Sequence, residues 1–314
     1  MGLLDNKVVI VTGGGRGLGR SHALTLARQG AVVVVNDVGC SVHGEGTDAT
    51  VAEAVAEQIR VGGGSATSDS TSVTDHQGVG RLFRRTIEQF GRIDGVVNNA
   101  GIVRPNELLT AMTERDFDAV LAVHVKGTFN VLAHAALYFQ RRWNEGDRSG
   151  GRVVNTTSGA GLRGSPALSY STAKAGIAAL TISAAMQLRP YGVTVNAISP
   201  VARTRMNPGA FAPASDAHAP GVDPLAPDHA SALVAYLLSD AASWLTGQVL
   251  RVDGNVVRRY EGWKVGPRAY QGRGEVLEAD ELDDALRVLY GVLPVPYLDP
   301  ANPRSVELPG VTET

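Results

Sequence analysis

The chain has 314 residues and a single cysteine, Cys40, so no internal disulfide can form. A fold without cross-links, in a reducing compartment, is expected. A surplus of charge is missing too: 29 Lys and Arg stand against 31 Asp and Glu, a formal net charge of −2. With no basic run and no acidic tail, neither a nucleic-acid partner nor a solvating arm is predicted. Long apolar runs are absent. The longest, residues 8–11 and 32–35, have strand length, so no membrane span is expected. The seven histidines are scattered without ligand spacing, and no metal site is expected. Residues 1–6 lack the basic region and cleavage site of a signal peptide, and the final Val311-Thr312-Glu313-Thr314 is no peroxisomal address. A cytoplasmic location is the expectation.

What is present is an ordinary globular balance, 44% hydrophobic and 19% charged residues. Strand-length apolar segments alternate with helical periodicity. Strands are predicted at residues 7–12, 31–36, 93–98, 152–156, 193–198 and 248–252. Helices are predicted at 19–29, 48–60, 77–90, 114–138 (one long helix or two abutting ones), 171–188 and 227–239. The run Val32-Val33-Val34-Val35 fits a parallel strand covered on both faces. Together these predict one Rossmann-type α/β domain over residues 1–254, a doubly wound parallel sheet of about seven strands with helices on both faces. Two stretches fall outside the alternation. Residues 203–228, rich in Pro, Ala and Gly, are expected to form a substrate lid. Residues 255–314, with Trp263 and one helical stretch at 279–289, are expected to be an extension packed on the domain or on a partner subunit. A homo-oligomer, dimer or tetramer, is the corresponding expectation.

The first strand runs into Thr12-Gly13-Gly14-Gly15-Arg16-Gly17-Leu18-Gly19 and then a helix. Glycines let a backbone approach a pyrophosphate, and a helix start offers free N–H groups, so a bound dinucleotide is predicted. Asp37, at the end of the second strand, can accept hydrogen bonds from adenosine ribose hydroxyls and repels a 2′-phosphate, which favours NAD. The Arg16 guanidinium could instead pair with such a phosphate; Asp37 is given more weight, and NADP remains the alternative. Asn98-Asn99-Ala100-Gly101 fits a place where a ligand lies against backbone. Tyr170-Ser171-Thr172-Ala173-Lys174 puts a phenol and an ammonium on one helix face, where the positive charge would lower the Tyr170 pKa for acid–base work. Ser158, in Thr157-Ser158-Gly159-Ala160-Gly161 at a strand's end, can hold a substrate oxygen.

In this order, over about residues 7–254, these motifs resemble the short-chain dehydrogenase/reductase family. The resemblance implies an oxidoreductase that moves a hydride between NAD(H) and a secondary alcohol or ketone. It implies catalytic roles for Ser158, Tyr170 and Lys174, with Lys174 also on the nicotinamide ribose, and cofactor contacts from the glycine loop, Asn99, Ala100 and Gly101. Pro200, in Asn196-Ala197-Ile198-Ser199-Pro200, and Thr204 match the family's contacts near the nicotinamide carboxamide. There are departures. The interval from Ser158 to Tyr170 is one residue short, and Val201 replaces a usual glycine. Ser72 replaces a usual aspartate, which leaves adenine to the Val73 backbone or to Asp69. His124 stands where an asparagine often does; histidine titrates near neutrality and could join a proton relay, or it is a packed core residue.

His124, the Val34-Val35-Asn36-Asp37-Val38-Gly39 stretch with the glycine-containing insertion after it, and the Trp263 tail resemble one branch of the family. That branch is the (R)-3-hydroxyacyl-CoA dehydrogenase part of peroxisomal multifunctional enzyme type 2 and its bacterial relatives. It implies a 3-hydroxyacyl-CoA substrate, with Arg163, Arg203 and Arg205 available for CoA phosphates. A steroid or terpene alcohol dehydrogenase and a 3-oxoacyl reductase are the alternatives, and a nucleotide-sensing protein without catalysis is a more distant one.

Overall fold

The computed structural model describes residues 2–105, 108–203, 206 and 223–262, with isolated positions between 279 and 307. The chain runs β1 (Val8–Thr12), α1 (Gly17–Arg28), β2 (Val32–Asn36), α2 (Thr50–Val61), β3 (Ser65–Asp69), α3 (His76–Phe90) and β4 (Gly95–Asn98). It continues through α4 (Glu114–Leu121), a π-helical turn (Ala122–Lys126), α5 (Gly127–Asn144), β5 (Gly151–Thr156), α6 (Gly159–Arg163) and α7 (Leu168–Leu188). Then follow β6 (Val193–Val201), α8 (Asp228–Leu238), β7 (Val249–Asp253) and β8 (Val256–Arg259). The sheet has the order β3-β2-β1-β4-β5-β6-β7-β8 and is parallel except for the β7–β8 pair. The expected doubly wound sheet is thus present, and strand order reverses between β1 and β4, which opens a crevice at the strands' C-terminal ends.

Valine-rich strands build the sheet because both faces are covered. Successive side chains point to opposite faces. Val9, Val11, Val33, Val35, Val97 and Val154 pack with α1, α2 and α8 in one core; Ile10, Val34, Val96 and Val153 pack with α3, α5 and α7 in the other.

Four features differ from the sequence expectation. β3 reads Ser-Ala-Thr-Ser-Asp, too polar to show an apolar strand signal, and its register with β2 is set by backbone pairing. β8 forms a hairpin with β7 through Gly254 and Asn255, beyond residue 254, and Gly254 takes the positive φ such a two-residue turn demands. Residues 114–144 make one continuous helical run interrupted by the π turn, which resolves the choice between one helix and two. This run is long and apolar enough to cross a bilayer, but Val120, Val131, Leu132, Ala135 and Phe139 are buried in the domain's cores. Finally, β6 runs on to Val201. Beyond Ile198 it pairs with β7 alone, so the missing N–H of Pro200 faces the open crevice and costs no ladder bond.

Of the stretch 203–228, the ends meet: the Arg203 amide donates to the Leu225 carbonyl at 2.8 Å, and Arg203 pairs with Asp223 at 3.4 Å. Thr204, Arg205, residues 207–222, Trp263 and most of 279–289 lie outside the described residues.

Candidate active site

A cavity of about 690 Å³ occupies the crevice. Gly13, Arg16, Gly17, Leu18, Asp37, Val73, Asn99, Ala100, Gly101, His124, Ser158, Tyr170, Lys174 and Pro200 all line it. Thr12, Gly15 and Gly19 do not. Thr204 lies outside the described residues. The three absentees act behind the wall. Thr12 Oγ1 donates to the Val97 carbonyl (3.2 Å) and accepts from the amides of Asn99 (3.1 Å) and Ala100 (3.3 Å), so it locks β1 to β4 beneath the crevice. Gly15 N donates to Asp37 Oδ2 at 2.9 Å. Gly19 packs against the Gly13 carbonyl, which a Cβ would meet at 2.0 Å.

The glycine loop is shaped for close approach. Gly13 has φ +62°, and a Cβ there would lie 2.7 Å from Ala100 Cα. Asn99 Nδ2 braces the loop through the carbonyls of Thr12 (3.2 Å) and Gly13 (3.1 Å). α1 starts at Gly17 with no side-chain cap and no acidic residue in its first turn, so its N-terminal N–H groups and positive dipole end stay open to an anion. This cradle fits a dinucleotide phosphate.

The loop's basic residue is already engaged: Arg16 Nη1 donates to the Cys40 carbonyl at 2.9 Å. Asp37 accepts from Gly15 N and, at 2.7 Å, from Gly39 N, which orients its carboxylate at the cavity edge. Asp69 does not line the cavity: it accepts from Asn36 and Thr71 and pairs with Arg85. Of the two candidates for adenine, Val73 is the one at the cavity, its carbonyl held by Asn130 Nδ2 at 2.8 Å.

At the opposite end, β5 grips α7. Asn155 Nδ2 donates to Thr181 Oγ1 (2.9 Å), Lys174 Nζ to the Thr156 carbonyl (2.7 Å), and Thr157 Oγ1 to the Lys174 carbonyl (2.6 Å). Sequence reasoning missed Asn155 and Thr157; polar residues closing an apolar strand were the available signal. The grip sets Tyr170 beside Ser158, whose hydroxyl it hydrogen-bonds, and puts Lys174 Nζ 5.5 Å from the Tyr170 ring centroid. Ser158 also caps α6, accepting from Ala160 N at 3.3 Å. Between Ser158 and Tyr170 lie α6, the turn after it and the start of α7.

Electrostatics here depart from expectation in two ways. Burial raises the Tyr170 pKa above its usual value, against the Ser158 bond that lowers it; no lowering by Lys174 emerges, because burial pulls the ammonium itself down to about 7. His124 does not titrate near neutrality. Burial first, then the Lys174 charge, push it down to about 3, so the ring is neutral. Its Nε2 lies 2.8 Å from the carbonyl and 3.0 Å from the amide nitrogen of Ile102, Nδ1 has no partner among the described residues, and the ring meets Tyr170 edge-on at 5.5 Å.

A family model described as enoyl-(acyl carrier protein) reductase matches residues 13–256. The chain belongs to the short-chain dehydrogenase/reductase family. Its relatives include the hydroxyacyl-CoA dehydrogenase ChsB1 of Mycobacterium tuberculosis, 42% identical over 254 residues, covering 80% of this chain and 78% of that protein. The peroxisomal multifunctional enzyme type 2 of Drosophila melanogaster is 33% identical over 289 residues, covering 91% of this chain but 44% of that longer protein. The crystal structure of a short chain dehydrogenase from Mycobacterium avium superposes with a TM-score of 0.83 at 42% identity, covering 96% of this chain and all of that one. As a short-chain dehydrogenase/reductase the chain is an oxidoreductase acting on hydroxyl or keto groups with a nicotinamide cofactor. The cradle at Gly13 and α1 is where this dehydrogenase/reductase would hold the phosphates, with Asp37 and Lys174 at the two ends.

Proposed function

We propose that this enzyme oxidises the 3-hydroxyl of an acyl-CoA thioester with NAD. The observation that carries the reading is a single cavity with Ser158, Tyr170 and Lys174 at one end and the Asp37 carboxylate at the other. Asp37 is held by two backbone amides where a ribose diol would meet it, and its charge repels a 2′-phosphate. A bound nicotinamide ring supplies the hydride acceptor. Tyr170 Oη takes the substrate's hydroxyl proton in oxidation and gives it back in reduction, while Ser158 Oγ holds the substrate oxygen. Lys174, whose ammonium donates to the Thr156 carbonyl, would bind at the ribose next to Tyr170, and it favours the phenolate when charged. His124, neutral and buried, positions the Tyr170 ring and the Ile102 backbone. The thioester assignment rests on the kinship to hydroxyacyl-CoA dehydrogenases, with exposed Arg163 beside the Ser158 loop for CoA phosphates.

The test is NADH formation from (R)-3-hydroxyacyl-CoA thioesters, 3-hydroxybutyryl-CoA, and free steroid and terpene alcohols, with NADP in parallel. Turnover of thioesters with NAD is expected; turnover of free alcohols alone would reject the substrate. A second reading, a 3-oxoacyl reductase, draws on the cyanobacterial 3-oxoacyl-[acyl-carrier-protein] reductase, 35% identical over 260 residues, and on the raised Tyr170 pKa, which keeps the phenol ready to donate. Reduction of acetoacetyl thioesters outpacing the reverse reaction would favour it.

The proposal includes self-association through α5 and α7. Phe129, Leu137, Ile182 and Met186 are exposed there, and α7 carries no charged side chain but buried Lys174. Light scattering should give a dimer or larger; a monomer at micromolar concentration would reject it.

A further inference from the structure

Residues 38–48, the glycine-containing insertion after β2, form a strap rather than a free loop. Its base is pinched shut: Asp48 N donates to the Val38 carbonyl (3.0 Å), and Gly39, at φ +77°, lies so close to Asp48 that a Cβ would meet its carbonyl oxygen at 2.0 Å. Its tip is folded on itself, Ser41 N to Glu45 O at 2.8 Å. The far side docks on the segment after β4: Val103 N donates to the Val42 carbonyl (3.0 Å), and His43 Nδ1 donates to the Val103 carbonyl (3.0 Å). The near side is tied by Arg16, whose guanidinium reaches from the phosphate loop to the Cys40 carbonyl at 2.9 Å. Cys40, Gly44, Gly46 and Thr47 line the cavity from this strap.

The strap therefore runs from the end of β2 to the end of β4, across the mouth of the crevice where a dinucleotide's phosphates would lie. We propose that Arg16 is a positioning residue that ties the 38–48 strap over the cofactor cleft, so that retention of either nicotinamide dinucleotide depends on this tie and Arg16 does not serve as a 2′-phosphate ligand. Geometry separates the two roles. The charge-assisted bond from Arg16 Nη1 to the Cys40 carbonyl turns the guanidinium toward the strap, and Asp37 at the cavity edge repels a 2′-phosphate. An open groove of about 410 Å³, lined by Arg20, Thr50 and Gln58, lies on the other side of Arg16. Releasing the tie would join cleft and groove and give the cofactor a second exit.

The inference rests on the nicotinamide-cofactor reading, and the experiment reads binding rather than turnover. NADH and NADPH affinities are titrated by cofactor fluorescence, and NADH release is followed by stopped-flow displacement, for wild type, Arg16→Ala, Arg16→Lys and His43→Phe. Arg16→Ala should speed NADH release about tenfold, the scale of one charge-assisted hydrogen bond, and weaken NADH and NADPH alike. His43→Phe, which removes one of the two far-end bonds and leaves the one from Val103 N to the Val42 carbonyl, without touching the phosphate loop, should speed release about threefold, the scale of a neutral bond. Arg16→Lys should fall between Arg16→Ala and wild type. Loss confined to NADPH in Arg16→Ala would make Arg16 a phosphate ligand and overturn the strap. So would wild-type release in His43→Phe, which would make the Arg16 effect a direct contact. A wild type that binds NADPH and not NADH would overturn the NAD reading alone, and the same release experiment with NADPH then decides the strap.

Discussion

At the Tyr170 end of the cavity, the positioning bonds run from β5 to α7 and are buried: Asn155 to Thr181, Thr156 to Lys174, Thr157 to Lys174. At the Asp37 end, the positioning bonds run between loops, and the strap residues 44–48 are exposed. Buried bonds between a core strand and a core helix open only with the domain, whereas loop ties open locally at a small fraction of that free energy. The contrast teaches a division of labour. Reacting groups are held in place before any ligand arrives, and the cofactor end has the freedom that entry and release require.

The sharpest way to break this contrast is Tyr170→Phe. If the phenol is the acid–base group, turnover falls about 10³-fold while NADH affinity, set at the far end, stays within about twofold. Single-turnover rates and a fluorescence titration on the same preparation read both. A loss of affinity equal to the loss of rate would mean that the two ends are one unit.

Asp37→Ala should act the opposite way. Loss of the diol partner weakens NAD about tenfold, and loss of the charge admits NADP, so the NAD to NADP ratio of kcat/KM falls by about 100-fold. An unchanged ratio would move cofactor choice elsewhere.

Acid sharpens the comparison within the core. His124 in the catalytic wall and His22 between α1 and α8 are both wholly buried, and burial holds each near pKa 3 against 6.5 when unfolded. As pH falls through 6.5, the unfolded chain gains protons that the folded one refuses, so stability drops until about pH 3. At pH 5 the cost is about 2 kcal/mol for each ring. Urea midpoints at pH 7.5 and 5.0 should show wild type losing about 4 kcal/mol and His124→Asn about half of that. Equal losses would mean that His124 is protonated in the folded protein. Lys174 has the same sign at higher pH: between about 7 and 10.5 the folded chain gains stability as pH rises.

Much of this was legible in the sequence, and the gaps follow physical lines. Val32 to Val35 announced a doubly covered strand, and the spacing of Tyr170 and Lys174 announced a shared helix face. Ser65 to Asp69 announced nothing, because its pairing with β2 uses backbone groups that every sequence carries. The same holds for the site. Ser158 and Asp37 were readable from their places at strand ends, but the partner of Arg16 is a carbonyl, and carbonyls leave no mark on composition. The choice between a relay and a packed His124 stayed open for a related reason: identity sets the intrinsic pKa, burial sets the shift, and burial emerges only once the π turn places the ring against Tyr170.

The smallest expected effect tests the rigid end from behind. Thr157→Val keeps the shape but removes the 2.6 Å bond from Thr157 Oγ1 to the Lys174 carbonyl. One neutral buried hydrogen bond is worth about 1 kcal/mol, so Tm should fall by about 2 °C. The bonds from Asn155 to Thr181 and from Lys174 to Thr156 remain and still hold α7 against β5, so kcat should fall less than about threefold and NADH release should not change. Redundancy is what a preorganised site built on core elements would show. If Thr157→Val instead cost as much rate as Tyr170→Phe, the grip of β5 on α7 would be a single point of failure, and the catalytic end would be no more secure than the strap.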